Sequence, residues 1–285
     1  MEIIYLDEDT VDIFTEYLGE DEAENIQRMY YRGFVVREDD KPVAGIIWQL
    51  RNVMSEGEKE SRIVFLKIGS DEVEDILFEN YRNSIAGEEV KRSTVVLPAL
   101  SSEREKAALK RAGFGVELME SDIIKARLSE AAKLAIMKKP GTDQDIMPLS
   151  SLSQGDFAAA IRRFAQKGLY GTCEDLIYLP KTYFENDMSC YAAFEGQINA
   201  MLLFHKLPSG SLSVIMMAFI GDDFRKKILP YMMHKALSSA LEHYSPDTEI
   251  MIDRHNYTAM AISEKLFPDG FGIPVYQGSR SEDDL

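Results

Sequence analysis

The chain is 285 residues long, 45% apolar and 28% charged, so it can bury a sizeable core and is not a disordered polyelectrolyte. Its formal net charge of −16 makes nucleic acid and anionic membrane surfaces poor partners, because both repel an acidic protein. The two cysteines form no CxxC pair, the four histidines lack metal-ligand spacing, and the start MEIIYLDEDT has no signal-peptide character. These features predict a cytoplasmic protein without a metal site.

The first half of the sequence indicates a hairpin followed by alternating strands and helices. Apolar runs that alternate with polar residues predict strands, and apolar residues three or four positions apart predict helices. In chain order the predicted elements are the hairpin FVVREDDKPVAGIIW at 34–48, a strand at 62–69, a helix at 72–85, a strand at 93–100 and a helix at 103–115 that ends in Gly-Phe.

The second half repeats this order of elements. They are the hairpin YAAFEGQINAMLLF at 191–204, a strand at 212–221, a helix at 228–244, a strand at 248–254 and a helix at 259–272 that also ends in Gly-Phe. The matched residues Gly69 and Gly221 lie 152 positions apart, and Phe114 and Phe271 lie 157 apart. A repeat of whole elements at a nearly constant spacing predicts a duplicated unit.

Two domains of similar topology follow from this repeat, residues 1–130 and residues 131–285. The first holds 29 acidic and 17 basic residues, whereas the second holds 19 and 15. A polyanionic ligand is therefore expected to prefer the second domain. The acidic tail at 279–285 is expected to be frayed.

The order of elements, together with two short motifs, resembles the GNAT superfamily of acyl-CoA-dependent N-acyltransferases. The motifs are ALKRAGF at 108–114, similar to the family's last helix, and HNYTAMAISEKL at 255–266, in which Asn256 and Ala259 match the family's Asn-x-x-Ala. The resemblance implies an α+β chain of two tandem three-layer α/β/α domains, each with a mixed, mostly antiparallel sheet. It also implies acetyl-CoA or another acyl-CoA as co-substrate, and an amine on a small molecule or peptide as acceptor.

The family's cofactor loop, Arg/Gln-x-x-Gly-x-Gly/Ala, has a degenerate counterpart in each half. In the second half it corresponds to 225–230, where Ile228 and Pro230 replace the two small residues, although backbone N–H groups at a helix N-terminus still suit an anion. In the first half it corresponds to 73–78, which lacks arginine and glycine and follows acidic residues. Carboxylates at a helix N-terminus repel phosphate. The first domain is therefore predicted to be degenerate, and the second to hold the acyl-CoA.

The candidate cofactor-binding residues lie at the end of the fourth strand, in the loop and after the fifth strand of the second domain. The resemblance implies that the strand ends flank the pantetheine arm and the loop holds the pyrophosphate. The candidates are Phe219, Ile220, Arg225, Lys226, Lys227, Ile228, Leu229 and Asn256. Two alternatives stay open: the basic residues form a solvated turn after an Asp223 N-cap, or Asn256 caps a helix that starts near Thr258.

No catalytic residue is predicted. The positions that correspond to the family's tyrosine acid hold Leu109 and Ser263, and the fourth strands lack a carboxylate. Holding an amine beside a thioester can itself supply much of the rate, so an N-acyltransferase that uses the second domain is the first hypothesis. The alternatives are a non-catalytic binding or scaffold protein whose two GNAT-like domains have lost the cofactor, and a different α/β fold. A homodimer is left open.

The segment LYGTCEDLIYLPKTYF at 169–184 is rich in aromatic residues. In the fold that the resemblance implies, it lies near the second helix, which walls the acceptor cleft. It is either a substrate surface or a patch at a domain interface, and the sequence does not decide between them.

Overall fold

A computed structural model describes residues 1–53, 58–99, 102–138, 145–167, 175–221, 227–253, 267 and 271–283. Within these ranges the chain forms twelve strands and seven α-helices. The strands are β1 Glu2–Tyr5, β2 Tyr31–Glu38, β3 Lys41–Val53, β4 Glu58–Ile68, β5 Val90–Pro98, β6 Gly115–Arg127, β7 Ile146–Pro148, β8 Cys190–Phe194, β9 Gln197–Lys206, β10 Leu212–Phe219, β11 Glu249–Asp253 and β12 Gly272–Ser281. The helices are α1 Thr15–Leu18, α2 Glu20–Asn25, α3 Glu74–Ala86, α4 Glu103–Arg111, α5 Leu128–Ala131, α6 Gln154–Gln166 and α7 Ile228–His243.

Contacts between residues divide the chain into two compact units. Unit 1 comprises residues 1–120 and 274–285, and unit 2 comprises residues 121–273. The predicted division after residue 130 differs from this one at two places, because the boundary falls inside β6 and the last strand belongs to unit 1. An apolar pattern indicates a strand but not the sheet that the strand joins. The sequence therefore could not show that β12 belongs to unit 1.

Strand β12 is an integral part of the sheet of unit 1. It pairs antiparallel with β5 over seven residues. Near its end, Arg280 donates hydrogen bonds to the buried carboxylate of Glu282, and just beyond it the Glu282 N–H bonds to the Lys91 carbonyl oxygen at 2.9 Å. The expectation of a frayed tail at 279–285 is therefore wrong for its described part, 279–283.

The sheet of unit 1 runs β1-β2-β3-β4-β5-β12, followed by residues 115–120 of β6. The pairings from β1 to β12 are antiparallel except for the parallel pair β4–β5. Phe34 and Val36 face a core formed with α3 and α4, whereas Val35 between them faces a core formed with α1 and α2. Because successive strand residues point to opposite faces, the sheet lies between two helical layers.

Unit 2 repeats this architecture. Residues 121–127 of β6 are followed by β11-β10-β9-β8-β7, and the described pairs are antiparallel except for β10–β11. Leu202 and Phe204 of β9 face a core that contains α7, and Met201 and Leu203 face one that contains α6. This unit too has three layers.

Both predicted hairpins are confirmed, and both have two-residue turns. Asp39 and Asp40 connect β2 to β3 with φ angles of 46° and 62°, and Glu195 and Gly196 connect β8 to β9 with φ angles of 55° and 75°. Two successive positive φ angles define the type I′ turn, whose twist matches that of the flanking strands.

The remaining predicted elements are confirmed within a few residues, except the helix at 259–272, which lies almost wholly outside the described residues. The strands β1, β6, β7 and β12 and the helices α1, α2, α5 and α6 were not predicted. Among the described residues, no helix is long and apolar enough to cross a bilayer.

Candidate functional site

The parallel strands β10 and β11 of unit 2 are paired only along the first part of β10. Their ladder ends at the pair Val214–Ile252, and at the next residue of β10, Ile215, a β-bulge shifts the register with β9. A bulge bends the strand that contains it. The β11 side of residues 216–219 of β10, beyond the end of this ladder, is called wedge 2 below.

A backbone N–H group points into wedge 2. The Ile220 N–H bonds to the Asn199 carbonyl oxygen of the neighbouring strand β9 at 2.7 Å. Because successive N–H groups of a strand point to opposite sides, the N–H of Phe219 is directed away from β9 and towards β11. This wedge therefore offers a hydrogen-bond donor to anything that lies between the two strands.

Unit 1 contains the same construction. The ladder between β4 and β5 ends at the pair Ile63–Val95, and a bulge follows at Val64. The space between residues 65–68 of β4 and the diverging part of β5 is called wedge 1.

The hydrogen bonds at the ends of β4 and β10 also correspond. The Gly69 N–H bonds to the Val43 carbonyl oxygen at 2.8 Å, as the Ile220 N–H bonds to Asn199. Ile68 in unit 1 is therefore the counterpart of Phe219 in unit 2, and its N–H points into wedge 1.

Two side chains of α4 fill wedge 1. The buried carboxylate of Glu105 accepts the Ile68 N–H at 3.1 Å, and Arg104 donates a hydrogen bond to the Gly69 carbonyl oxygen. The backbone groups that would meet a ligand at the end of β4 are thus already bonded within unit 1.

Tyr17 of α1 completes the polar lining near Glu105. Burial and then the negative charge of Glu105 raise the pKa of Tyr17 to about 12, so its hydroxyl stays neutral near pH 7. Its oxygen is buried and has no hydrogen-bond partner among the described residues. Lys67 lies 4.2 Å above the Tyr17 ring, which fixes the ring against β4.

A groove of about 690 Å³ lies beside the N-terminal turn of α3 in unit 1. Carboxylates dominate its lining, and the polar residues are Asp71, Glu74, Asp75, Glu79, Arg82 and Arg111. Arg111 donates to Glu74 from Nε at 2.9 Å and from Nη2 at 2.5 Å, and this hydrogen bonding raises the pKa of Arg111. A phosphate chain at this groove would meet like charges, so unit 1 does not fit coenzyme A.

The corresponding helix of unit 2 has a different N-terminus. Helix α7 begins at Ile228, its N-cap residue Lys227 gives no side-chain capping hydrogen bond, and its first turn holds no acidic residue. The first N–H groups of a helix have no acceptor within the helix. The side chains of Ile228 and Leu229 are buried, so their backbone N–H groups and Lys227 are what this end of the helix can offer to an anion.

Comparisons with known proteins support one fold. No family model and no curated protein matches the sequence. Among solved structures, the tandem GNAT protein from the clavulanic acid biosynthesis pathway matches 98% of this chain over 98% of its own length, with a TM-score of 0.65 at 12% identity. The chain has a tandem GNAT fold.

Two further solved structures share this GNAT fold. A GCN5-related glucosamine N-acetyltransferase region of a fungal multi-domain GH3 β-N-acetylglucosaminidase matches 98% of this chain and 38% of that protein, with a TM-score of 0.62 at 13% identity. A GCN5-related N-acetyltransferase from Kribbella flavida matches 99% of this chain and 72% of its own, with a TM-score of 0.52 at 10% identity. The predicted α+β fold of two tandem GNAT-like three-layer domains is confirmed.

Of the eight residues of this chain that were predicted to bind the cofactor, the structure describes five. Phe219 and Ile220 lie at the end of β10 beside wedge 2, and Lys227, Ile228 and Leu229 form the beginning of α7. The other three, Arg225, Lys226 and Asn256, lie outside the described residues. The alternative, a solvated basic turn after an Asp223 N-cap, also lies outside the described residues; the N-cap residue of α7 itself is Lys227.

Five residues near the two GNAT wedges were not predicted as site residues: Tyr17, Arg104, Glu105, Asn199 and Gly221. Gly221 has a φ of 150°, and an added Cβ would lie 2.9 Å from Cζ of Phe219. The sequence signal for Gly221 was present, since it follows the fourth strand directly, but its role as the space for the Phe219 ring depends on the fold.

The aromatic segment at 169–184 is described from residue 175 onwards, and most of that part packs inside unit 2. Leu176 and Phe184 belong to the core that contains α6. Tyr183 stacks on His205 with ring centroids 3.8 Å apart. Of these four residues, only Tyr178 is well exposed to solvent, with 56% of its area accessible.

Proposed function

We propose that this chain is an acyl-CoA-dependent N-acyltransferase that acts on an amine and binds its cofactor in unit 2. The observation that supports the proposal is wedge 2, on the β11 side of β10 beyond their ladder, together with the N-terminus of α7, whose first turn holds no acidic residue. In unit 1 the same opening is filled by Glu105 and Arg104. Unit 1 is accordingly proposed to be a structural partner.

The chemistry of the residues at the start of α7 and at the end of β10 supports coenzyme A as the ligand. Backbone N–H groups at Ile228 and Leu229, together with Lys227, would hold the pyrophosphate, because a helix N-terminus attracts anions. From the sequence, Arg225 and Lys226 would add positive charge and Asn256 a hydrogen bond to the pantetheine arm. The Phe219 N–H and the neighbouring Ile220 would flank that arm in wedge 2.

When bound, acyl-CoA supplies an acyl group activated as a thioester. The chain's own contribution is orientation, since alignment of an amine with a bound thioester can account for several kcal/mol, up to roughly 7–11, of the barrier. A neutral amine is needed for attack, and no residue of the described part is assigned to remove its proton. The acceptor is proposed to be a small-molecule or peptide amine, in keeping with the names of the structural relatives, one of which is a glucosamine N-acetyltransferase region.

Binding of CoA and acetyl-CoA provides the test. Both are expected to raise the thermal unfolding temperature, since a ligand at about 100 times its dissociation constant stabilises by roughly 2.7 kcal/mol. Arg225→Glu is expected to abolish this shift without changing the stability of the free protein. Lys133→Glu, the same charge reversal at an exposed position of unit 2, is the control and should retain it.

A protein that shows no shift with millimolar CoA would contradict the proposal. That result would favour the alternative, a non-catalytic binding or scaffold protein built from two GNAT-like units that have lost the cofactor. A third outcome is also distinguishable. If CoA raises the unfolding temperature but no acyl group is transferred from acetyl-CoA to any of a panel of amines, the protein binds the cofactor without catalysis.

A further inference from the structure

Asn199 holds both backbone groups of Ile220 at the end of β10. It lies at a β-bulge of β9, where the register with β8 shifts by one residue. Its carbonyl oxygen accepts the Ile220 N–H at 2.7 Å, and its Nδ2 donates to the Ile220 carbonyl oxygen at 3.1 Å. Ile220 is followed by Gly221, where the connection to α7 begins.

The orientation of the Asn199 amide follows from its partner. A carbonyl oxygen can only accept, so the side-chain atom that faces Ile220 must be the amide nitrogen. The other atom, Oδ1, is buried and has no hydrogen-bond partner among the described residues. Buried polar atoms are nearly always paired, so an unpaired Oδ1 is costly. The Asn199 side chain keeps this orientation because its Nδ2 bonds to the Ile220 carbonyl oxygen.

In unit 1 the corresponding carbonyl oxygen, at the end of β4, is bonded by a residue from a different element. Val43 lies at the corresponding bulge of β3 and binds the Gly69 N–H through its backbone, but it has no side-chain donor. The Gly69 carbonyl oxygen is instead bonded by Arg104, which reaches it from α4, next to the Glu105 carboxylate that fills wedge 1. The donor therefore comes from the helix that fills the wedge, and not from the neighbouring strand.

We propose that Asn199 is a positioning residue for the acyl-CoA site of unit 2, an inference that rests on the proposed function. By bonding the Ile220 carbonyl oxygen from β9, Asn199 satisfies that group without a side chain across wedge 2. It also fixes the peptide from which the connection to α7 starts. The Phe219 N–H is thereby held in the direction of the wedge.

Gly221 provides a second, independent constraint at the same point. Its φ of 150° suits glycine, and its missing Cβ makes room for the Phe219 ring. Residues 219–221 are therefore fixed by a side-chain hydrogen bond on one side and by ring packing on the other. Loss of the Asn199 bond leaves the Ile220 carbonyl group free to turn. Residues 219–221 then have to be ordered when the ligand binds, which lowers the ligand's affinity.

The test compares Asn199→Val with Val43→Asn in the full-length protein. Unit 1 already has valine at this bulge, so Asn199→Val is expected to fold. Its dissociation constants for CoA and acetyl-CoA, measured by isothermal titration calorimetry, are expected to rise about tenfold, the effect of one lost hydrogen bond. Hydrogen exchange in peptides that cover 215–221 should become faster. Val43→Asn should leave both dissociation constants unchanged.

Each other outcome overturns the inference. Equal affinity in wild type and Asn199→Val would show that the bond does not prepare the site. A lower unfolding midpoint of the free Asn199→Val protein, in proportion to the loss of affinity, would identify a purely structural role. A wild-type protein that binds neither CoA nor acetyl-CoA would overturn the proposed function itself, and this inference with it.

Discussion

Glu60 is the most strongly constrained charged residue of unit 1. Only 1% of its surface is exposed, and its carboxylate accepts hydrogen bonds from Arg51 Nε at 2.8 Å, Arg92 Nη2 at 2.7 Å and Thr94 Oγ1 at 2.8 Å. Burial alone would raise the pKa of Glu60, but the charge of Arg51 and these hydrogen bonds together lower it below its ordinary value. The pairing joins β3, β4 and β5 at the end of the sheet away from wedge 1.

Glu60→Gln is expected to lower the free energy of unfolding by about 2–3 kcal/mol at pH 7, because it removes a buried carboxylate that three side chains bond and leaves the partly buried Arg51 without its counter-charge. A carboxylate with a lowered folded pKa stabilises the protein above its unfolded pKa and loses that effect as pH falls through the folded pKa. The difference between wild type and variant, measured by urea unfolding, should therefore be full at pH 7 and shrink below about pH 4.3.

The exposed pair of Glu2 and Arg37 provides the matched control. It also joins two strands of unit 1, at 2.6 Å, but 62% of the Glu2 side chain is exposed. Glu2→Gln is expected to change the free energy of unfolding by less than about 1 kcal/mol. Equal effects of the two substitutions would show that the burial of Glu60 does not matter.

Gly221→Ala tests the strain argument at the start of the connection to α7. The new Cβ would lie 2.9 Å from the Phe219 ring at a φ unfavourable to alanine, so a loss of about 1–3 kcal/mol in the free energy of unfolding is expected. Gly155→Ala, in the first turn of α6 with its nearest neighbour 3.9 Å away, should be neutral or stabilising. An unchanged urea midpoint for Gly221→Ala would contradict the described geometry.

The sequence predicted some residues of the candidate site and could not have predicted others. Lys227, Ile228 and Leu229 follow from a local loop pattern. Asn199 and Glu105 do not, because their backbone partners lie 21 and 37 residues away in the sequence and become accessible only where a bulge interrupts a ladder. On α4, Glu105 belongs to the run EREK, which has the composition of a solvated helix face.

At the scale of elements, the hairpin turns make a quantitative prediction. The turn Asp39-Asp40 has two positive φ angles without a glycine, whereas Asn-Gly is the sequence that type I′ turns favour. The double substitution Asp39→Asn and Asp40→Gly is expected to raise the free energy of unfolding by about 0.5–1 kcal/mol. Asp40 is 91% exposed beside Arg37, so the lost ion pair offsets little of this gain.

Glu195→Asn supplies the comparison in the other hairpin, where Gly196 already occupies the second turn position. Its expected gain is smaller, a few tenths of a kcal/mol. Urea unfolding at pH 7 measures both. A larger effect at Glu195 than at the double substitution would mean that turn conformation does not limit stability here.

Elements with a clear periodic pattern of apolar residues were predicted. Elements that are stabilised mainly by neighbouring strands were not. The hairpins and helices α3 and α7 show clear apolar alternation or four-residue spacing. Strand β1 has four residues, β6 mixes five charged residues into GVELMESDIIKAR, and β12 contains Pro274 and Gly278. Such segments become strands because neighbouring strands satisfy their backbone groups, information that a short window of sequence lacks.

At the scale of the whole molecule, the chain returns to unit 1 at its C-terminal end. Strand β12 contributes the buried residues Val275 and Tyr276 to that unit. Gly278 of β12 is packed so closely that an added Cβ would lie 3.0 Å from Val116 and 3.1 Å from the Gly115 carbonyl oxygen. A substitution more than 150 residues after β6 in sequence should therefore destabilise the N-terminal unit.

Gly278→Val tests this arrangement, and the single tryptophan reports on it. Trp48 is 2% exposed in the core of unit 1, edge-on to Tyr81 with ring centroids 5.3 Å apart. The substitution is expected to lower the free energy of unfolding by about 2 kcal/mol or more, because it forces a branched side chain against the backbone. The urea midpoint, followed by Trp48 fluorescence, should fall accordingly. Gly87→Ala, where an added Cβ meets nothing within 4 Å, should leave the midpoint nearly unchanged. If Gly278→Val instead leaves the fluorescence transition intact while it abolishes CoA binding, β12 acts with unit 2, and the division of the chain into these two units is wrong.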